Sequence, residues 1–183
     1  QFPGMMGLRW EDNRLVLVIN PEKLAHVRND ELQSLLEHEA LHLIWMHPLR
    51  YASYPHQDLV EIATDVAVNQ YLTEPPQGTV TLSQLEKVLR QKLMPKLDSQ
   101  DYLNILEHLP AEQQEKLHQP GLKLNGSKQK ENATADEVKT ADTHNGWQEP
   151  KTSQQVSNQV VRLANIKQIL NRSWKQTPQR DRG

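Results

Sequence analysis

Apolar residues fall into distinct spacing regimes along this chain. Between residues 5 and 19 they form two short runs, 5–10 and 14–19, separated by Glu11-Asp12-Asn13. Leu15-Val16-Leu17-Val18-Ile19 is continuous and rich in β-branched residues, which predicts a well-buried strand, and the polar triplet predicts a hairpin turn. Asn20-Pro21 ends the hairpin. Asn20 suits an N-cap and Pro21 a first helical position, so 21–27 is predicted as a short helix. From residue 31 the spacing becomes helical: Leu32, Leu35, Leu36, Leu43 and Ile44 recur on one face of a helix over 31–47. Asn29-Asp30 offers its N-cap, and Pro48 its stop. A second helix is predicted over 57–72, where Val60, Ala63 and Ala67 make a small-residue face for close packing. After the EPPQG turn, Leu82, Leu85, Val88, Leu89 and Leu93 predict a short helix within 74–98. Shorter helical pieces follow over 99–109 and 111–118. Residues 119–151 then carry almost no apolar side chains, which predicts a linker or long flexible loop. A last helix is predicted over 153–174 by the stripe Val156, Val160, Leu163, Ile166, Leu170 and Trp174.

The expected fold is therefore α+β and mostly helical. It has an N-terminal β-hairpin, a core over 1–118, a polar flexible segment over 119–151 and a C-terminal amphipathic helix over 152–175 that packs back on the core. A tail over 176–183 is expected to lead into a further domain. Composition agrees that only part of the chain can form a core: hydrophobic residues are 36% of the 183, and the mean hydropathy is -0.76. The net charge of -2 makes no electrostatic case for nucleic acid or a membrane surface. No apolar run is long enough for a signal core or a membrane span, so the expected compartment is the cytoplasm. There is no cysteine, so any metal must be held by histidine and carboxylate.

The chemistry is concentrated in the predicted helix over 31–47. His38-Glu39-Ala40-Leu41-His42 is an HExxH motif. On a helix the two histidines sit one turn apart on the same face, where both imidazoles can hold one ion. Glu39 lies about 100° round the helix, at the edge of that face. From there it can take a proton from water without being a ligand. These residues point to a zinc-dependent hydrolase acting on peptide bonds, with Zn²⁺ as cofactor and a protein or peptide as substrate. A third ligand is needed. His47 lies nine residues after His38, on the far side of a continuing helix, so a supporting role suits it better than ligation. Asp58, Glu61 and Asp65 form an acidic stripe on the second predicted helix. Either Glu61, as in the ExxxD of gluzincins, or Asp65 can complete two histidines and a carboxylate, leaving a fourth position for water.

HEALHLIWMH followed by EIATDVAVNQYL resembles the putative metallopeptidase domain associated with von Willebrand factor A-like domains and MoxR-type AAA+ ATPases. The resemblance extends from the Asn20–Leu24 segment through an A-x-D-x-x-x-N block to Ser99-Gln100-Asp101-Tyr102-Leu103-Asn104-Ile105-Leu106 and to Asp142-Thr143-His144-Asn145-Gly146-Trp147. It implies a zincin-like fold and favours His38, His42 and Asp65 as the ligands. Glu61 is a departure from the family pattern and stays open as an alternative ligand. A AAA+ ATPase or a von Willebrand factor A-like domain is the partner it implies.

His144 and Trp147 stand in an otherwise polar tract. Trp147 gains nothing unless it docks, so the segment 142–147 is expected either to anchor the loop or to fold over the cleft as a lid, with His144 meeting metal, water or substrate. Tyr51, Tyr54, His56 and His144 are candidates for stabilising an oxyanion. The rival reading is a non-catalytic adaptor whose helices are stapled by the metal.

Overall fold

The computed structural model describes residues 4–117, 144–148 and 155–176. Two antiparallel strands open the chain: β1 (Met6–Glu11) and β2 (Arg14–Ile19), in the register Leu8 opposite Leu17 and Trp10 opposite Leu15. Asp12 makes the turn in the left-handed region, at φ 56°. Leu8, Trp10 and Leu15 face the core, whereas Leu17 and Ile19 are about half exposed. The continuous apolar run of β2 is thus buried on one face only. Two further helices follow, α1 (Pro21–Leu24) and α2 (Asn29–Ile44). Asn20 caps α1 by accepting the backbone N–H groups of Glu22 and Lys23.

Helix α2 differs at both ends from the pattern-based expectation. Arg28 holds the extended N-cap position without a side-chain cap bond, and Asn29 is already helical. Asp30 instead accepts the N–H of Glu31. At the other end the helix stops at Ile44, ahead of Pro48. Met46 adopts φ 58°, ψ 29°, and this left-handed residue redirects the chain into α3 (His47–Arg50), where Pro48 sits in the first turn. Leu36 and Ile44 also fall outside the buried stripe, at 44% and 50% exposure. The face of α2 that is buried carries Leu35, His38, Glu39 and His42.

Helix α4 (Gln57–Asn69) is the centre of the molecule. Val60, Ala63, Val66 and Ala67 are fully buried, and Thr64 and Asp65 join them. A helix buried on nearly every side can approach its neighbours closely where its residues are small. Ala63 and Ala67 supply that closeness, and α4 packs most extensively on α6 (Ser99–Glu107), which buries Tyr102, Leu103 and Leu106. Each such leucine contributes about 1.5–3 kcal/mol by leaving water. Between them runs α5 (Leu82–Leu89), begun by a capping box between Thr81 and Gln84. Helix α7 (Ala111–Leu117) closes this part of the chain. Asp98 caps α6 by accepting the N–H of Gln100 and is paired with Arg50 at 2.6 Å, which holds its carboxyl below the usual range and ties α3 to α6.

A 3₁₀ turn, His144–Trp147, lies against β1. Helix α8 (Gln155–Gln176) docks on the hairpin. There Arg162 stacks over Trp10 at 4.5 Å and donates to the carbonyl of Asp12, Asn165 accepts the N–H of Leu15, and Ile166 enters the core. Among the described residues no helix is long and apolar enough to cross a membrane. The expectations for 118–143, Asp142 and Thr143 included, for 149–154 and for the tail beyond 176 lie outside the described residues.

Candidate metal centre

Two helices and the 3₁₀ turn bring four metal-ligating side chains to one point. His38 and His42 come from α2, Asp65 from α4 and His144 from the turn. One donor atom from each lies within 4.8 Å of all the others, and all four side chains are buried. His38 Nε2 and His42 Nε2 are 2.9 Å apart. Asp65 Oδ1 lies 3.5 Å from His38 Nε2, 3.7 Å from His42 Nε2 and 3.5 Å from His144 Nε2. Donors held at 2.0–2.1 Å around a tetrahedral ion are about 3.3–3.4 Å from one another. The observed separations bracket that spacing.

The outer atom of every donor group is held in turn. His38 Nδ1 lies 2.9 Å from Asn69 Oδ1. The amide nitrogen of Asn69 donates to Thr79 Oγ1 and to the carbonyl of Val80, so its oxygen must accept and His38 Nδ1 must carry the proton. His144 Nδ1 lies 3.4 Å from Thr64 Oγ1, whose hydroxyl is given to the carbonyl of Val60 at 2.8 Å. Here too the imidazole donates outward. His42 Nδ1 lies 2.9 Å from His47 Nδ1. Burial, reinforced by the nearby Arg50 cation, pushes the pKa of His47 well down, so its ring is neutral and can accept. Asp65 Oδ2 accepts the N–H of Val80 at 3.0 Å, which leaves Oδ1 turned inward.

These outer bonds leave the Nε2 of each imidazole turned inward. Three imidazole nitrogens and a carboxylate oxygen then face one another, buried from water. Donor atoms gathered this way suit a cation at their centre. The donor set therefore fits a divalent metal ion held by nitrogen and oxygen ligands.

Glu39 is buried at 3% exposure, one residue after His38 on α2. Glu61 is half-buried one turn before Asp65 and lies outside the group of converging donors. His47 is fully buried and contacts the outer edge of His42, a position that depends on the left-handed Met46. Of the other side chains considered for an oxyanion role, Tyr51 is hydrogen-bonded to Ser99 and Tyr54 to Glu107, while His56 is exposed at the N-terminus of α4. Trp147 is fully buried and stacks on His144 at 3.8 Å with 12° between the planes. Its ring also packs against His42 at 5.1 Å.

The sequence gives no role to Thr64 or Val80, and Asn69 enters it only as the last position of the A-x-D-x-x-x-N block. Asn69 had a legible signal. It lies four residues after Asp65, so the two side chains share one face of α4, and a ligand with an amide one turn further on is a pattern for orienting a partner histidine.

A family model described as "Putative metallopeptidase domain" matches residues 9–182 of the chain. No curated protein and no solved structure matches it.

Proposed function

The chain belongs to that metallopeptidase-domain family, and on this premise we propose that it is a zinc-dependent peptidase in a zincin-like arrangement. His38, His42 and Asp65 hold the ion, and Glu39 is the general base. The observation that carries the reading is the convergence of four buried donor groups, three imidazoles and the Asp65 carboxylate, with the outer atom of each hydrogen-bonded. Bound zinc supplies Lewis acidity, polarising a carbonyl and bringing the ionisation of water close to neutral pH.

The protein's own part is positioning and proton transfer. Asn69 and His47 fix the tautomers and ring orientations of His38 and His42. Glu39 takes the proton from the attacking water and passes it to the leaving amine as the peptide bond breaks. Its burial keeps bulk water from competing for that proton. Nitrogen and carboxylate donors without sulfur also suit other divalent metals, but tetrahedral spacing with a small ligand number favours zinc.

Incubating the zinc-loaded chain with a broad peptide library should give cleavage products. Those products should disappear on chelation and return when zinc is added back. Cleavage that persists undiminished after verified metal removal would take the metal out of the account.

A further inference from the structure

Three histidines and an aspartate make one ligand more than a hydrolytic site can use. A catalytic zinc keeps three protein ligands and an open position, whereas four protein ligands close the ion off. The position of His144 is therefore of mechanistic consequence. Its Nε2 stands as near Asp65 Oδ1 as that of His38 does, both at 3.5 Å. Its Nδ1 is tied to a buried hydroxyl in the same manner as the Nδ1 atoms of His38 and His42 are tied to their partners. It has the design of a ligand. Trp147 covers it from the same turn, fully buried against His144 and His42. With His38, His42, Asp65 and Glu39 also buried, a peptide cannot reach the centre while the turn is in place.

We infer that the His144–Trp147 turn is a latch that holds the site latent: His144 takes the fourth coordination position, Trp147 seals it, and substrate is admitted only when the turn withdraws. This rests on the metal centre proposed above. It deepens that reading by making turnover a gated event. The latch is made of a single short turn, so it can leave without dismantling α2 or α4. Its seat on β1 is tight at Gly146. A Cβ there would lie 2.7 Å from Arg9 Cβ and 2.9 Å from Arg9 Cα, and backbone at that distance cannot be accommodated without a shift of the turn.

Two variants test the latch with Co²⁺ as a spectroscopic metal and azide as the probe of an open position. His144→Ala removes the fourth donor. Gly146→Ala keeps all four donors and every core side chain but pushes the turn off β1. The wild-type Co²⁺ protein should show tetrahedral absorption bands that azide does not move. In His144→Ala the bands should shift on adding azide, and Co²⁺ affinity should fall by about 100-fold or more. Gly146→Ala should show a partial azide response. If the latch is closed for nine-tenths of the time, His144→Ala should also cleave peptides about tenfold faster. A wild-type spectrum that responds to azide as fully as that of His144→Ala overturns the latch and leaves the metal centre standing. So do two variants that both refuse azide. Absence of Co²⁺ binding by the wild type overturns the metal centre itself, and the latch with it.

Discussion

Glu39→Gln is expected to lower peptide cleavage by about 10²–10⁴-fold, the usual share of a positioned general base, while metal content stays at the wild-type level. The substitution is nearly isosteric, and the side chain is buried on the face of α2 that also carries His38 and His42. Packing is therefore conserved, and only basicity is lost. The amide cannot accept the proton of the attacking water, and no other carboxylate among the described residues is buried beside the donors except Asp65, whose Oδ2 is committed to Val80. The comparison is best made in the His144→Ala background, where an open site gives the larger signal, by measuring cleavage rate and metal content on the same preparation. Retained activity in Glu39→Gln would place the base elsewhere.

Asp65→Ala should have the largest effect on the fold as well as on the centre. Asp65 is the only negative charge in the inward ring, so its removal leaves three imidazoles without charge compensation for a cation. Metal binding should fall below detection at micromolar concentration, by direct metal analysis after gel filtration. The same change leaves the buried Val80 N–H without its acceptor, which costs about 1–3 kcal/mol. It also leaves a cavity on a helix buried along most of its length. Melting of the metal-free protein should therefore also be lowered. Glu61→Ala is the matched control. It lies on the same helix but outside the converging donors, so metal content should be unchanged. Metal lost in Glu61→Ala and kept in Asp65→Ala would reverse the ligand assignment.

The parts of this site that the sequence made legible are the local ones. His38 and His42 are four residues apart, and helical geometry alone puts them on one face. The small-residue face of α4 is legible for the same reason, because Ala63 and Ala67 repeat with the helix and admit α6. Asp65 required more. Periodicity left it level with Glu61, and only the resemblance to a metallopeptidase domain favoured it. What was not legible depends on contacts between distant segments. Thr64 and His144 are eighty residues apart in sequence, and their hydrogen bond is a property of the folded chain. A continuing helix puts His47 on its far side, and the sequence suggests only a supporting role for it. It reaches the outer edge of His42 because Met46 takes a left-handed conformation that nothing in a methionine announces. The breadth of the buried stripe on α2 was overestimated for a related reason: which of several leucines face inward depends on where the hairpin and α4 lie. Leu36 and Ile44 ended on the outside.

Removing His144 distinguishes a latched catalytic site from a purely structural one. A structural site gains stability from a fourth ligand and loses it when the ligand goes. A latched catalytic site also loses affinity for the ion, but it gains turnover. The sign of the activity change in His144→Ala therefore separates the two, and the buried Glu39 has a use only in the second.

Metal binding by His38, His42 and Asp65 is measured by titrating the metal-free chain with zinc by calorimetry, alongside His38→Ala and His42→Ala. One tight site is expected in the wild type, and its loss in both variants. A wild-type chain that takes up no zinc, or variants that bind it as tightly as the wild type, would contradict it.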